Sequence, residues 1–357
     1  MLKETQLILL AVLKTRSDQE EAVLAELMGS KIDWARVAGV VMHHRLEGYF
    51  LRGIPEDLRR FIALEFIKSL SLLIKAQRKL TMENIGHLTP LLEELEREGI
   101  RYAGLKGLVY NASIYTPGDR RSNDSDILVS EEDLERLDAV LRRHGFIQSF
   151  SSVMKEASRK EKLIQRMHHH DLVPYAKLTG GDFLERIQID VNFHFDSKDN
   201  DITKAIFDYG TENYANEYYV IKGLKWPTHL AHLCVHFYRE GTNTIWTMDR
   251  RDAAIYKMID AVNTLRLHSD EVSLLEWCAL MRSFRLQKQC YYTLYHMNLF
   301  YPGLITERVL AELKPDDDAY LQEVTVHGTG ERLSRSSSIF ESAFDLTYCV
   351  DFSRVPD

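Results

Sequence analysis

The sequence predicts an α/β fold of the α+β kind, in which a small mixed β-sheet is embedded in helical N- and C-terminal regions. In residues 1–98, apolar residues recur mostly at three- and four-residue steps, which is typical of helices with one buried face. Strand and helix patterns alternate in residues 99–200, and helical periodicity returns in 201–357. We therefore expect these three regions as domains, with an irregular tail at the end of the last. Alternatively, both termini build a single helical domain.

Composition limits the kinds of protein that this chain can be. Its 357 residues, 45% of them hydrophobic and 27% charged, suffice for two or three globular domains. A net charge of −8 argues against general binding to nucleic acids. No apolar stretch reaches membrane-spanning length, and the four cysteines form no C-x-x-C pair. We expect a cytoplasmic protein without a membrane partner, and its oligomeric state is not predicted.

The second half of the N-terminal region is predicted to contain a long helix and, after Pro90, a short one. Pro55 is expected to begin the first of them, which continues to Asn84. The second, strongly charged, follows Pro90, and Gly99 ends it.

In the central region, the predicted elements are a strand over 100–105, a helix over 131–144 and strands over 171–178 and 183–195. Gly145 suits the residue that follows a helix, and Thr179-Gly180-Gly181-Asp182 suits a hairpin turn between the two later strands. Four further helices are predicted after residue 200, over 229–239, 246–262, 272–284 and 287–299. The tail from Thr325 does not follow this helical pattern.

Two aspartates that are one residue apart lead into a predicted buried strand. Asp124 and Asp126 precede an Ile-Leu-Val run. Alternate residues of a strand point to the same face, so both carboxylates can converge on one point and hold a divalent cation such as Mg²⁺. The alternative is a turn rich in Asn and Asp, for which the same stretch would also serve.

A third carboxylate favours the metal interpretation. Asp190 lies between Ile189 and Val191 in another predicted strand, where an unpaired carboxylate is unfavourable unless it faces a cation. Asp124, Asp126 and Asp190 are therefore the predicted ligands of a Mg²⁺ or Mn²⁺ site.

A Gly-Leu-Lys-Gly run marks the change from the first central strand to a short helix. Gly107 would let a phosphate approach the backbone, the following N–H groups could bind it, and Lys106 supplies positive charge. The alternative is an ordinary tight turn with a solvated lysine.

Together these motifs resemble those of the uncharacterised nucleotidyltransferase family within the DNA polymerase β-like nucleotidyltransferase superfamily. The matching residues are, in order, Leu105-Lys106-Gly107, Tyr115, Arg120, Asp124-Ser125-Asp126, Gly145-Phe146 and Asp190. The resemblance spans roughly residues 5–300. Asn192 stands where the family has a histidine, and His194 could replace it from the same strand face.

The resemblance implies a Mg²⁺-dependent or Mn²⁺-dependent transfer of a nucleoside monophosphate from an NTP. The acceptor would be a hydroxyl or amine of a small molecule, peptide or protein. The two aspartates of the strand motif would bind both metals, Asp190 would bind the catalytic metal, and Lys106 and Arg120 would neutralise phosphate charge. The alternative is a catalytically inactive nucleotide-binding or interaction module.

Two histidine clusters and a basic run remain outside this assignment. His168–His170, His194 and the basic stretch 155–166 flank the third carboxylate, so they could select the acceptor, with His194 transferring a proton. Ordinary surface histidines and a solvated charged face are the alternative. His229, His232 and His236 have helical spacing, which favours a partly buried helix face over a metal site.

Overall fold

The structure is a computed structural model that describes residues 1–122, 124–150, 153–248, 251–252, 254–347 and, for the backbone, 352–354. It divides into two compact units, one of Ser69–His229 and one that combines Met1–Lys68 with Leu230–Asp357. The second unit corresponds to the alternative in which both termini contribute to a single helical region. The division into 1–98, 99–200 and 201–357 stays a prediction about domain organisation.

In the described ranges the α-helices are α1 (Lys3–Ala11), α2 (Asp18–Met28), α3 (Trp34–His43), α4 (Glu47–Gly53), α5 (Leu64–Arg97), α6 (Gly107–Tyr110), α7 (Leu134–Arg143), α8 (Arg159–His168), α9 (Thr203–Tyr209), α10 (Trp226–Gly241), α11 (Thr244–Met248), α12 (Ile255–His268), α13 (Glu271–Ser283), α14 (Gln287–Phe300), α15 (Glu307–Leu313) and α16 (Ile339–Phe344). Short 3₁₀ helices occupy Glu56–Phe61, Glu131–Asp133 and Ala319–Gln322. None of the helices in the described ranges has the length and apolar character needed to cross a lipid bilayer.

The strands are β1 (Tyr102–Gly104), β2 (Ser125–Val129), β3 (Ile147–Gln148), β4 (Tyr175–Leu178), β5 (Arg186–Asn192), β6 (Thr211–Ala215), β7 (Val220–Leu224), β8 (Glu323–Thr325), β9 (Arg332–Arg335) and β10 (Phe352–Arg354). The first seven form one sheet in the order β3-β4-β5-β2-β1-β7-β6. β2 is parallel to β5 and β1 is parallel to β7, whereas the other neighbours are antiparallel. The predicted mixed sheet within helical termini is confirmed.

Two parts of the chain that were not predicted as strands prove to be sheet. The hairpin of β6 and β7 extends the central sheet beyond β1, although residues after 200 were expected to be helical. The tail, expected to be irregular, contributes β8 and β9 to a three-stranded sheet with β10. In β6 only Tyr214 is buried, so this edge strand lacks the apolar alternation by which a strand is identified.

The two helices expected on either side of Pro90 form one 34-residue helix, α5. Leu88, Leu91 and Leu95 on both sides of Pro90 are buried in the core of the sheet unit, so packing favours a continuous helix. Pro90 and Gly86 are exposed. The proline has no N–H to donate to the carbonyl of Gly86, four residues earlier. Because Gly86 is exposed, water can bind this carbonyl instead.

Other helices differ from their predicted bounds. The helix expected from Pro55 begins only at Leu64, because the residues after Pro55 form a 3₁₀ turn. The single helix expected over 246–262 is divided into α11 and α12, and residues 249–250 and 253 lie outside the described residues. α7 agrees with its prediction, since its apolar positions are buried and Gly145 follows it at φ +84°.

A buried histidine makes the terminal unit sensitive to acid. His296 on α14 is completely buried, and its Nδ1 lies 2.7 Å from the carbonyl oxygen of Tyr292. Because a carbonyl only accepts hydrogen bonds, Nδ1 carries a proton. Its Nε2 has no hydrogen-bond partner among the described residues. Burial lowers the pKa of His296 to about 4, and the nearby Arg335 charge adds to this effect.

We predict that His296→Asn weakens the acid dependence of stability. Above pH 6.5 the imidazole is neutral in the folded and unfolded chains alike. As the pH falls from 6.5 towards 4, only the unfolded chain gains this proton, so the wild-type protein loses about 3 kcal/mol of stability through this group. The substituted asparagine side chain cannot titrate, so urea unfolding midpoints of the variant should fall less over this range.

The matched control is His327→Asn, which changes an exposed histidine of the same unit. This control should retain the acid dependence of the wild-type protein. Equal acid dependence of His296→Asn and the wild type would show that His296 does not stay neutral in the folded state.

Candidate active site

The strand register places two of the predicted carboxylates side by side. β2 and β5 are parallel neighbours, and Asp126 pairs directly with Asp190. Directly paired residues of adjacent strands have their side chains on the same face of the sheet. Asp126 is only 6% exposed, and Asp190 is partly exposed. The carboxylates of Asp126 and Asp190, from different strands, therefore lie next to each other in a partly buried part of the sheet.

Each carboxylate affects the ionisation of its neighbours. Burial raises the pKa of Asp190 to about 7, and the charges of Asp126 and Asp124 contribute to this rise. Burial also raises the pKa of Asp126; Lys106 opposes this effect and Asp124 reinforces it. Asp124 immediately precedes β2 and is exposed. All three predicted carboxylates are thus close enough for their charges to repel one another.

Lys106 partly neutralises this cluster. Its Nζ donates a hydrogen bond to Asp126 Oδ1 at 2.8 Å. Burial disfavours the charged ammonium, but the negative charges of Asp126, Asp124 and Asp190 outweigh burial and hold the pKa of Lys106 above its usual value. Lys106 is therefore a permanent cation beside the carboxylates.

The backbone of Lys106 is strained at the residue that forms this ion pair. Its φ of +44° and ψ of −117° lie outside the regions that residues with a Cβ normally occupy. Such a conformation costs about 1–3 kcal/mol and persists where the surrounding structure enforces it. The sequence predicted a turn here but gave no indication of this strain.

The small size of Gly107 leaves room for two polar side chains. A Cβ at this position would overlap Ser122 Oγ and lie 2.9 Å from Arg120 Nη1. Arg120 is buried, donates a hydrogen bond to Ser122 Oγ at 2.6 Å and lies 5.6 Å from the centre of the Tyr110 ring. Its positive charge opposes the rise in the pKa of Asp126 that burial causes. The predicted cations at 106 and 120 thus both act on the carboxylate cluster.

The expected contribution of a helix to this turn is small. α6, which begins at Gly107, is only four residues long. A single turn has little of the summed dipole that a longer helix presents at its N-terminus. Any anion bound at this turn would therefore depend mainly on Lys106 and Arg120.

The donor set suits a hard divalent cation. Asp124, Asp126 and Asp190 offer carboxylate oxygens, the ligands that Mg²⁺ and Mn²⁺ prefer. Within the part of the chain that the structure describes, no three or more His, Cys, Asp or Glu side chains are placed so that they could hold a metal ion together. Asp126 is instead engaged by Lys106. Metal binding would require local rearrangement of these side chains, and the ligand assignment stays a prediction.

The strand that was expected to align His194 with Asp190 ends before it. β5 stops at Asn192, so strand alternation does not extend to His194. Asn192 Nδ2 donates to the Ile127 carbonyl oxygen at 3.4 Å, which links the two central strands. His194 is buried, and its Nδ1 lies 3.5 Å from Asp201 Oδ1. A catalytic role of His194 stays a prediction without the expected geometric basis.

The basic run before the second hairpin belongs mostly to a solvent-facing helix. No residue of α8 is buried. Lys162 and Arg166 form ion pairs with Glu156 and Glu131, at 2.7 and 3.2 Å. These contacts favour a solvated face for the charged stretch. His168 ends this helix.

The histidines at 229, 232 and 236 lie on α10, as their helical spacing predicted. His229 is buried and packs edge-on against Tyr110. His232 is also buried, whereas His236 is partly exposed. This arrangement agrees with a partly buried helix face.

Sequence analysis missed a cleft next to the carboxylates. Gly107, Ser122 and Asp124 line one side of it, and Asn84 of α5 and Asn111, just after α6, also line it. Asn84 Nδ2 donates to Ser125 Oγ at 3.2 Å. The available signal was the occurrence of Asn111 within an otherwise mostly apolar stretch, where a polar residue requires a reason.

We predict opposite effects of two glycine substitutions on stability. Gly107→Ala should destabilise the protein by about 1–3 kcal/mol because its methyl group displaces Ser122 and Arg120. Gly86→Ala is the matched control, on the exposed side of α5 with no heavy atom within 4 Å of its new Cβ. The control should stabilise the protein by about 0.5–1 kcal/mol. Urea unfolding of the two variants measures both effects, and similar midpoints would contradict the packing described at Gly107.

Comparison with models of known protein families gives a match over most of the chain. The family model described as uncharacterised nucleotidyltransferase matches residues 30–302, which include every residue of the carboxylate cluster and the lysine turn. No curated protein matches the chain. Because the family model covers more than half of the sequence, the chain belongs to the uncharacterised nucleotidyltransferase family and is a nucleotide-transferring enzyme.

Proposed function

We propose that this enzyme transfers a nucleoside monophosphate from an NTP to a hydroxyl or amine and releases pyrophosphate, in a reaction that requires Mg²⁺, with Mn²⁺ as a substitute. The acceptor is a small molecule, a peptide or a protein side chain. The observation that carries this proposal is the direct pairing of Asp126 with Asp190 beside the Lys106 ammonium. This juxtaposition provides oxygen donors for cations and positive charge for phosphates in one place.

The phosphates of the NTP are assigned to the turn at Lys106. Lys106 and Arg120 supply positive charge, and the absence of a side chain at Gly107 lets Arg120 approach the turn. On nucleotide binding, Lys106 Nζ would exchange its hydrogen bond with Asp126 for one with a phosphate oxygen. The exchange would leave Asp126 available as a ligand.

The carboxylates are assigned to cation binding and to the acceptor. Asp124 and Asp126 would hold both cations, and Asp190 would share the catalytic one. Bound divalent cations would neutralise phosphate charge and make the attacking group more acidic. Gln188 Nε2 donates to Asp190 Oδ1 at 2.9 Å, so we assign Asp190 Oδ2 to the proton of the acceptor hydroxyl or amine.

The acceptor is assigned to the side of the site formed by the end of β5 and the residues after it. His194 lies there beside Asp201 and could exchange a proton with an acceptor. We place the enzyme in the cytoplasm, and the buried cysteines Cys234 and Cys278, which form no disulfide, are compatible with a reducing compartment.

We predict that Asp126→Asn and Asp190→Asn each weaken Mg²⁺-dependent NTP binding by more than about tenfold, because even residues that only support a metal ligand have effects of this size. Both substitutions keep the shape of the side chain and remove its charge. Isothermal titration calorimetry with each of the four NTPs, with Mg²⁺ and with EDTA, measures the effect.

Asp182→Asn is the matched control, since Asp182 is exposed in the turn between β4 and β5. This variant should bind as the wild type does. Unchanged Mg²⁺-dependent binding in Asp126→Asn would contradict the assignment of the carboxylates.

A further inference from the structure

The cleft beside the carboxylates adjoins the turn at Lys106 and Gly107, to which we assigned the phosphates. Gly107 and Ser122, which form the turn, also line the cleft, as does Asp124 at the predicted metal site. Asn84 and Asn111 lie on the same cleft. The cleft has a volume of about 10 Å³ in the free protein, about the space of one water molecule. A ligand whose phosphates occupy the turn would therefore extend the group attached to them into this cleft only if its walls move apart.

Asn111 brings an unpaired acceptor to the cleft. The residue is 5% exposed, and among the described residues its Oδ1 has no hydrogen-bond partner. Its backbone is satisfied, because its N–H donates to the Gly107 carbonyl and its carbonyl accepts from Asn216 Nδ2 at 2.7 Å. Burial of an unpaired amide oxygen is unfavourable, and a native protein seldom retains one without a reason.

The other polar groups of the cleft are already engaged. The Asn84 amide bonds to Ser125 Oγ, and Ser122 Oγ accepts from Arg120. Asp124 adds negative charge to the same wall. The partner that would suit Asn111 Oδ1 is therefore a ligand group that donates a hydrogen bond and carries no negative charge, such as a hydroxyl group.

We propose that the cleft is the ribose subsite of this enzyme and that Asn111 Oδ1 accepts a hydrogen bond from a ribose hydroxyl. This inference rests on the proposed use of an NTP at the neighbouring turn. In a nucleotide the sugar follows the α-phosphate by one carbon and one oxygen, so phosphates at Lys106 and Gly107 bring the ribose to the adjoining cleft. The enzyme consequently prefers ribonucleotides to an analogue that lacks the bonded hydroxyl.

Binding measurements with deoxynucleotides test this proposal. Calorimetry in Mg²⁺ compares each of the four NTPs with its 2′-deoxy and 3′-deoxy analogues. We expect the wild-type protein to bind one of the two analogues about tenfold more weakly than the NTP, the effect of one hydrogen bond. In Asn111→Leu, which has a similar shape and no acceptor, the preference should fall to less than about twofold.

Two further variants separate recognition from folding. Asn111→Asp keeps an acceptor oxygen and should retain the preference for the ribonucleotide, even where its charge lowers affinity for all nucleotides. Asn213→Ala, which changes an exposed asparagine of β6, should behave as the wild type. Asn111→Leu should also melt no lower than the wild type, because it removes an unpaired buried oxygen.

The outcomes distinguish this inference from the function on which it rests. NTP binding with equal affinity for both deoxy analogues would overturn the ribose subsite and leave the proposed function intact. Loss of the preference in Asn111→Asp as well as in Asn111→Leu would also overturn it. An absence of NTP binding by the wild-type protein in Mg²⁺ would overturn both.

Discussion

The site depends on the register between β2 and β5. Because side chains alternate along a strand, a shift of one residue would turn Asp190 to the opposite face of the sheet from Asp126. The burial pattern of β5 resists this shift: Ile187, Ile189 and Val191 are buried, whereas Gln188 and Asp190 are partly exposed. A shift would bury these polar residues and expose three large apolar ones. Hydrophobic packing therefore fixes the distance between the two carboxylates.

This constraint concentrates negative charge, and neighbouring residues limit its cost. Lys106 neutralises Asp126 directly, and Arg120 acts on the same carboxylate through its charge. Each cation depends on a special feature of the backbone. Lys106 has strained dihedral angles, and Arg120 can take its place only because Gly107 has no Cβ. The same features that stabilise the free protein are those we assign to phosphate binding. Local strain is thus retained at the place where binding would use it.

Sequence analysis identified the fold class and singled out the aspartates that the structure places near one another, because the relevant signals are local. Strand alternation at Asp124 and Asp126 and an aspartate between two β-branched residues at Asp190 are visible without any knowledge of tertiary contacts. The β6–β7 hairpin was missed because its edge strand is mostly exposed. Pro90 was given too much weight because local propensity was considered without the core packing of α5. Asn111 became noticeable only once its burial and missing partner were known.

The most direct test of this account follows the phosphorus atoms of the nucleotide. The purified enzyme is incubated with Mg²⁺, a mixture of hydroxyl- and amine-bearing acceptors, and each NTP labelled with ³²P at either its α- or its γ-phosphate. The account predicts that the α-label enters an acceptor product and that the γ-label leaves as pyrophosphate. It also predicts that Asp126→Asn abolishes both events. Transfer of the γ-label to the acceptor, or wild-type transfer by Asp126→Asn, would contradict nucleotidyl transfer at this pair of strands.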